Sequence, residues 1–229
     1  MQIAYFDAFA PLSAKSRGRM QGVFIDVLDE VLHRRLGVPT LHAGFPWTRA
    51  QDQVQNGGFD AICTVVTEQR LEYCVASSEA VVSVPGRVFV NVDSPKINML
   101  GAARTMEDVR RANARILTYL GNDWAKENLQ GFWLYEAMGD YAVAVNMLAE
   151  GRADAMIENV HSMQATMKKM PNASRIRMME HDVYRWTYRL LVGRKSRFVD
   201  IVPAFDVAMR QFRGESGYRQ ILEKYGIRF

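Results

Sequence analysis

The chain has 229 residues, of which 48% are hydrophobic and 24% are charged. These proportions are typical of globular proteins and exclude a disordered or fibrous chain. The 29 basic residues exceed the 25 acidic ones, so the net charge is +4. Basic residues never occur in a run longer than a pair, and we therefore predict no nucleic-acid partner.

The sequence has no apolar stretch of the roughly 18 residues that a membrane span needs. A strand-like segment, Ile3 to Phe6, follows almost directly on Met1. This start is expected of a protein whose signal peptide has been removed, whereas the alternative is a cytoplasmic protein that begins at Met1.

The two cysteines, Cys63 and Cys74, both have apolar neighbours. They are too few to hold together a chain of this length, and no histidine lies near enough in sequence to suggest zinc. Two readings stay open, which are a pair of buried thiols and a disulfide across a short loop.

The first third of the chain predicts alternating strands and helices. After the strand at Ile3, a helix is predicted from Gly22 to Gly37, since its apolar residues recur at helical spacing. A polar helix from Arg49 to Gln55 follows, and then a strand, 60–66. This order predicts an α/β fold with a mostly parallel sheet. The apolar residues of the first helix are Val23, Val27, Leu28, Val31 and Leu32.

A short pattern occurs twice. Gly57, Asp60 and Ala61 are repeated in kind by Gly151, Asp154 and Ala155, and a helix precedes and an apolar strand follows each copy. The repetition predicts two lobes built from one kind of unit, and chance is the alternative. For the second helix we predict Asp140 as the N-cap. Its core face is predicted to contain Val143, Met147 and Leu148.

Two extended runs, Val81 to Val92 and Tyr184 to Val192, are predicted to carry the chain between the lobes. The first lobe would then comprise residues 1–90 and 188–229, and the second lobe residues 91–187. Two amphipathic helices, 202–212 and 218–225, are predicted to pack on the first lobe.

A series of short segments occurs in a fixed order along nearly the whole chain. The segments are Phe9-Ala-Pro11, Gly22-Val-Phe-Ile-Asp26-Val-Leu28, Pro46-Trp47-Thr-Arg49, Gly57-x-x-Asp60-Ala61, Thr67-Glu-Gln-Arg70, Ser77, Met106-Glu-Asp108-Val109, Gly151-Arg-Ala-Asp154-Ala155 and Gly217-Tyr-x-x-Ile-Leu-x-Lys224-Tyr225-Gly226. In this order they resemble the extracellular solute-binding proteins of family 3, which serve ABC importers of polar amino acids.

The resemblance implies a periplasmic-binding-protein-like fold of type II. Two α/β lobes, each with a mostly parallel sheet flanked by helices, are joined by two β crossovers and bind a ligand in the cleft between them. It further implies a monomer in the periplasm or outside the cell, without metal or cofactor. Such a protein closes by hinge motion on a small carboxylate, an amino acid or another organic acid, and delivers it to ABC permease subunits.

In the first lobe the resemblance assigns four residues to the ligand, which are Phe9, Trp47, Thr67 and Arg70. Arg70, which follows Thr67, matches the position that grips the carboxylate, and arginine does so best through two parallel hydrogen bonds. The alternative is an exposed arginine after a Thr67 N-cap. Phe9 and Trp47 match the rings that contact the ligand side chain, whereas core packing is the alternative for Phe9.

In the second lobe the predicted ligand contacts are Gly121 and Asn122, in a loop that opens a helix, and Glu158 and Asn159, at the end of a strand. A helix start can bind an anion through its backbone N–H groups. The alternative for this loop is a helix with a simple N-cap.

Three features depart from the family pattern. Asn159 occupies the position of the acidic residue that pairs with the ligand ammonium, and Phe6 replaces another frequent acid. The segment between Asp60 and Arg70 is also shorter than usual. An amide would leave a buried ammonium without a counter-charge, so an organic acid without an amine is an open alternative.

Two other functions use the same fold. One is an enzyme similar to the cyclohexadienyl dehydratases, for which Glu158 is the candidate acid because the four histidines show no convincing pairing. The other is the ligand-sensing domain of a receptor. The histidines are His33, His42, His161 and His181.

Overall fold

The computed structural model describes residues 1–228 of the chain. Eleven β-strands occur in this range. They are β1 (Gln2–Phe6), β2 (Ala8–Phe9), β3 (Ser13–Ser16), β4 (Arg19–Gln21), β5 (Leu41–Phe45), β6 (Ala61–Val65), β7 (Cys74–Asn91), β8 (Arg115–Tyr119), β9 (Trp133–Ala137), β10 (Ala155–Asn159) and β11 (Ile176–Gly193).

Ten α-helices alternate with these strands. They are α1 (Val23–Leu28), α2 (Trp47–Gln55), α3 (Glu68–Tyr73), α4 (Ile97–Ala102), α5 (Met106–Arg111), α6 (Asp123–Asn128), α7 (Tyr141–Ala149), α8 (Val160–Met167), α9 (Val202–Arg213) and α10 (Ser216–Lys224). Helix α1 continues as a π-helical segment, Asp29–Arg35, and two short 3-10 turns occupy Ala173–Arg175 and Val199–Ile201.

The chain divides into two compact units. Unit 1 contains Met1–Ser83 and Thr187–Phe229, and unit 2 contains Val84–Trp186. Strands β7 and β11 are the two segments that pass from one unit to the other. Both strands begin earlier than the extended runs predicted at Val81 and Tyr184. Their first halves have only scattered buried residues and no continuous apolar run, so the sequence did not indicate where they begin.

Unit 1 is built on a mostly parallel sheet. Strand β1 lies between β5 and β6 and is parallel to both, while β11 runs antiparallel to β6. Every residue of β6 is buried, as expected for a strand covered on both faces. Strands β2, β3 and β4 form a small separate sheet. The predicted α/β class is therefore confirmed.

The helices of unit 1 follow the predicted pattern. Val23, Val27 and Leu28 are fully buried on α1. The π-helical segment ends at Arg35, two residues before Gly37, whose φ of +67° suits glycine. The C-terminal helices α9 and α10 occur where predicted, and Tyr218 of α10 donates a hydrogen bond to the Val81 carbonyl at 2.9 Å. Helix α2 begins at Trp47, two positions before the predicted Arg49.

Unit 2 contains a second parallel arrangement. Strand β8 is parallel to β9 and to β10, and β7 runs antiparallel to β10. Helix α7 has Asp140 as its N-cap, as predicted, since the carboxylate accepts a hydrogen bond from the Val143 amide at 3.0 Å.

The predicted core face of α7 is wrong in part. Leu148 is buried, but Val143 is 45% exposed and, with Met147, lines an open groove of about 620 Å³. The helix is apolar on nearly all sides, so periodicity did not distinguish the true face. The buried residues are Tyr141, Ala144, Val145, Leu148 and Ala149.

The repeated Gly-x-x-Asp-Ala pattern has the same structural role in both units. Asp60 accepts hydrogen bonds from the Gln2 amide at 2.7 Å and from the Ser196 hydroxyl at 2.7 Å. Asp154 accepts equivalent bonds from the Arg115 amide at 2.8 Å and from the Ser94 hydroxyl at 3.0 Å. Each aspartate thus holds the first residue of a neighbouring parallel strand, β1 or β8.

Cys63 and Cys74 are buried and unbonded to each other. The disulfide alternative is therefore wrong, and the reading as buried thiols is confirmed. Burial raises the pKa of Cys63 well above its ordinary value and that of Cys74 to about 12, so both thiols are protonated and unreactive near neutral pH.

We expect Asp154→Ala to lower the free energy of unfolding by about 2 kcal/mol near neutral pH, because it leaves buried donors without an acceptor. Burial raises the pKa of Asp154, but hydrogen bonds from the Arg115 amide and from Ser94 outweigh this and lower it overall. At a pH above the ordinary pKa of aspartate, the lowered pKa of Asp154 stabilises the fold. This stabilisation is lost as the pH falls.

Urea denaturation at several pH values measures this effect. The difference between the parent and Asp154→Ala should shrink below about pH 4. Asp52→Ala, at an exposed site on α2, is the control and should leave stability unchanged. A variant at Asp154 that is as stable as the control would contradict the assigned role.

Candidate functional site

The predicted ligand residues of unit 1 lie where three parallel strands end. Phe9 follows β1, Trp47 follows β5 and Thr67 follows β6. Since these strands are parallel neighbours, their carboxyl ends meet at one edge of the sheet. Ligands of α/β proteins bind at this edge.

Arg70 is buried in unit 1, with 1% of its surface exposed. Its Nε and Nη2 atoms donate to the side-chain oxygen of Gln51 at 3.1 and 3.0 Å, and Nη1 donates to the Val65 carbonyl at 3.0 Å. Thr67 is the N-cap of α3 and accepts a bond from the Arg70 amide at 3.3 Å. The alternative of an exposed arginine is therefore wrong, although the predicted N-cap is present.

One aromatic ring lies against this arginine and contacts a chain of further rings. The guanidinium carbon of Arg70 lies 5.2 Å from the centroid of the half-buried Trp47 ring. The Phe6 ring lies 6.0 Å from Trp47 and stacks on Phe9 at 5.8 Å. Phe9 also contacts Tyr188 edge to face at 6.2 Å. We call Phe6, Phe9, Trp47 and Tyr188 the ring group. Phe9 is itself buried. Its alternative role as a core residue predicts the same burial.

Two residues of this neighbourhood escaped the sequence analysis. Gln51 lies four positions after Trp47 on α2, so the two share one face of the helix. A polar residue at that spacing from a candidate ring is the sequence feature that could have indicated Gln51. Tyr188 enters from β11, more than a hundred residues further along the chain, and no local pattern indicates its position.

The predicted residues of unit 2 also lie at the ends of parallel strands. Gly121 and Asn122 follow β8, whereas Glu158 and Asn159 are the last residues of β10. These two strands are parallel neighbours, so the same rule brings the four residues to one edge of the unit 2 sheet.

Asn122 is the N-cap of α6, because its side-chain oxygen accepts from the Ala125 amide at 3.4 Å. Its Nδ2 atom donates to the Thr118 hydroxyl at 2.9 Å. Gly121 has a φ of +78°, a conformation that favours glycine. The predicted N-cap is therefore present in this loop.

Glu158 and Asn159 form a buried hydrogen-bonded pair. The backbone amide and Nδ2 of Asn159 both donate to Oε1 of Glu158, at 2.7 and 3.0 Å. The side-chain oxygen of Asn159 accepts from the Ser162 amide at 2.8 Å and caps α8. Asn159 is thus oriented by bonds at both ends of its amide.

The pKa of Glu158 is raised to about 7. Burial is the main cause, because it removes the carboxylate from water, and the hydrogen bonds from Asn159 offset it only in part. Near neutral pH this side chain therefore exists in both protonation states.

The two groups offer different chemistry. In unit 1, a buried cation lies against aromatic faces and is held by neutral oxygen acceptors, an arrangement suited to binding a carboxylate that carries an apolar body. In unit 2, amides and one titratable carboxyl can bind a neutral or positively charged polar group.

The family model of the bacterial extracellular solute-binding proteins, family 3, matches residues 1–227. The chain belongs to this family. No curated relative matches its sequence. No helix among residues 1–228 has the length and apolar character to cross a membrane.

Solved structures share the fold at low sequence identity. The arginine-, lysine-, histidine-binding protein ArtJ of Geobacillus stearothermophilus is 17% identical, with 98% of this chain and 94% of that chain covered and a TM-score of 0.75. A histidine kinase sensor domain similar to periplasmic binding proteins is 15% identical, with coverages of 99% and 95% and a TM-score of 0.78.

A third structure is the ancestral amino acid-binding protein AncCDT-1, a precursor of cyclohexadienyl dehydratase. It is 19% identical, with coverages of 98% and 94% and a TM-score of 0.71. Together these structures establish the periplasmic-binding-protein-like fold of this chain.

We expect Glu158→Gln to be more stable than the parent near pH 8. An acid whose pKa is higher in the folded state than in the unfolded state makes stability fall as the pH rises between the two values. The interval from about 4.5 to about 7 corresponds to roughly 3 kcal/mol. Glutamine keeps the oxygen that Asn159 contacts and removes the charge.

Denaturant unfolding from pH 4 to pH 8 measures the difference. The fall in stability between about pH 4.5 and pH 7 should be smaller in Glu158→Gln than in the parent. Glu223→Gln, at an exposed site on α10, should follow the parent. Equal pH profiles for parent and Glu158→Gln would refute the raised pKa.

Proposed function

We propose that the protein is an extracytoplasmic solute-binding protein that captures a small carboxylate, an amino acid or another organic acid, and delivers it to an ABC permease. Family membership supports the binding role. The observation that carries the ligand class is the buried guanidinium of Arg70, held by Gln51 and Val65 against the Trp47 ring.

Charge is the physical reason for this choice. A carboxylate that leaves water needs a partner that replaces its hydration, and a pre-oriented guanidinium does so with two hydrogen bonds and a full charge. The bonds to Gln51 and Val65 orient Arg70, and both of these acceptors are uncharged. The Nε and Nη2 atoms of the guanidinium face Gln51, and Nη1 faces the Val65 carbonyl.

For unit 2 we propose that Gly121, Asn122, Glu158 and Asn159 bind the polar end of the same ligand. The family resemblance further supports lobes of residues 1–90 plus 188–229 and 91–187, and hinge closure of a monomer. A signal peptide removed before residue 1 and a periplasmic or extracellular location belong to the same proposal.

Glu158 supports one second candidate, an enzyme of the cyclohexadienyl dehydratase kind. A carboxyl with a pKa of about 7 is suited to proton transfer near neutral pH. Assays of prephenate and arogenate turnover test it: turnover that is lost in Glu158→Gln would establish the enzyme, and bound but unchanged substrate would favour the binding protein.

We expect Arg70→Ala to weaken carboxylate binding by about 2–4 kcal/mol, because the ligand carboxylate would be left without its charged partner. Calorimetric titration, with probes chosen by a thermal-shift screen of amino acids and small carboxylates, measures this loss.

Arg49→Ala is the matched control, since Arg49 is an exposed arginine of the same unit that lies over Phe45. It should bind as the parent does. Circular dichroism must show that Arg70→Ala is folded. Parent-like affinity in folded Arg70→Ala would exclude the carboxylate anchor.

We expect Asn159→Asp to strengthen the binding of amino acids but not of the matching acids without an amine. A carboxylate at this position would supply the counter-charge that an ammonium requires. Paired titrations with an amino acid and its 2-keto analogue measure the difference. Equal effects on both members of the pair would show that residue 159 does not contact the amine position.

A further inference from the structure

Strand β9 and helix α7 of unit 2 expose large apolar side chains to solvent. On β9, Trp133 is 58% exposed and Tyr135 is 45% exposed, while Met138, just after the strand, is 88% exposed. Tyr135, Met138 and Val143 line the open groove of about 620 Å³ beside α7. We call Trp133, Tyr135, Met138 and Val143 the β9 surface. Large apolar side chains grouped in this way indicate a binding surface, whereas single exposed ones do not.

Strand β9 is also an open edge of its sheet. Within the described residues it pairs with β8 alone, so its other side offers backbone N–H and C=O groups to a further strand. Natural sheets usually protect such an edge with proline, lysine or a bulge. The sequence of β9, Trp-Leu-Tyr-Glu-Ala, contains neither proline nor a basic residue. The edge is therefore suited to receive an added strand from a partner.

Charge indicates the chemistry of that partner. Five acidic residues and one basic residue lie between Leu120 and Glu150, although the whole chain has a net charge of +4. Glu150, which lines the groove, is paired with Arg152 at 2.8 Å. Glu136 and Asp140 form no ion pair with any residue of the range 1–228. A basic partner would be attracted to this surface, whereas a second copy would bring the same acids to it and be repelled.

Strand geometry specifies the spacing of the partner's residues. Successive side chains of a strand point to opposite faces of the sheet. Tyr135 lines the groove, so Glu136 lies on the opposite face. A strand added beside β9 would place its side chains opposite these two residues in turn. Its apolar residues would then meet Tyr135, and its basic residues would meet Glu136.

We propose that the edge of β9 binds an extended segment of a partner protein in which apolar and basic residues alternate, and that this segment joins the sheet as a further strand. Its apolar side chains pack on Tyr135 and enter the groove beside α7, and its basic side chains lie opposite Glu136. This inference goes beyond the solute-binding role and does not depend on which carboxylate the protein binds.

Titration of the full chain with defined peptides tests the proposal. The first probe is a capped peptide that alternates leucine and lysine. The second replaces each lysine by glutamate, and the third has the composition of the first with its leucines in one block and its lysines in another. We expect the first peptide to bind about tenfold or more tightly than the other two. Equal affinity of the first peptide and either of the others would overturn the proposal.

Hydrogen exchange shows where the first peptide binds. A strand added to the open edge should slow the exchange of backbone amides in residues 133–137, because it supplies new hydrogen-bond acceptors there. Slower exchange in α7 without any change in β9 would mean that the peptide lies in the groove and does not join the sheet. That result would overturn the strand addition.

Two variants test the contacts of the added strand. Tyr135→Thr keeps a residue suited to strands but removes the ring, and it should weaken the first peptide about tenfold. Glu136→Lys reverses the charge and should weaken it about fivefold. Leu41→Thr is the matched control, since Leu41 is an exposed residue of β5, the edge strand of unit 1. It should bind the peptide as the parent does.

Thermal unfolding should show that the variants are folded. Parent-like affinity in folded Tyr135→Thr and Glu136→Lys, or an equal loss in Leu41→Thr, would contradict the assigned surface. Sedimentation of the parent without peptide tests the other occupant. A dimer that Tyr135→Thr dissociates would assign the β9 surface to a second copy and overturn the proposal.

Discussion

The burial of one guanidinium constrains how three elements of unit 1 meet. An arginine removed from water needs hydrogen-bond acceptors at fixed positions, and Arg70 obtains them from Gln51 on α2 and from the Val65 carbonyl at the end of β6. These bonds fix the start of α3 relative to α2 and β6. They also hold Trp47 against the guanidinium, since Trp47 and Gln51 share one face of α2. The arginine therefore fixes the one ring of the ring group that it contacts.

A second constraint is shared by both units. Parallel strands leave the amide of their first residue without a partner unless a neighbouring segment supplies an acceptor. Asp60 and Asp154 do this for Gln2 and Arg115. In each copy of the motif the glycine ends the preceding helix. The aspartate three residues later then lies beside the neighbouring parallel strand, β1 or β8. A short motif thus solves the same problem twice, which explains its repetition in a chain whose two halves otherwise differ.

The pair Glu158 and Asn159 gives unit 2 a different electrostatic character. An amide replaces the expected acid, and its oxygen is committed to capping α8. The carboxyl group lies one residue earlier, and its burial favours the protonated form. The edge of the unit 2 sheet therefore carries less negative charge than an aspartate at position 159 would give, whereas unit 1 carries the Arg70 cation.

The sequence by itself determined the features that depend on neighbouring residues. Helix starts and ends were predicted from Asp140, Thr67 and Gly37, because caps and positive φ angles are local properties. Strand β6 was predicted from its apolar run. The order of motifs indicated the family. Family membership in turn implied the α/β fold and the assignment of Arg70 to a ligand carboxylate.

Only the tertiary structure decided which distant residues meet. Tyr188 reaches the Phe9 ring from β11, and no local pattern predicts that contact. The bond between Gln51 and Arg70 likewise joins two helices that are separate in sequence. Tertiary packing also decided which side of α7 is exposed. A helix that is apolar on most sides can pack on the core through any of several faces, and in this fold the face with Val143 is exposed. The physical reason is that local sequence determines backbone conformation, whereas burial depends on residues far away in the chain that cover the same surface.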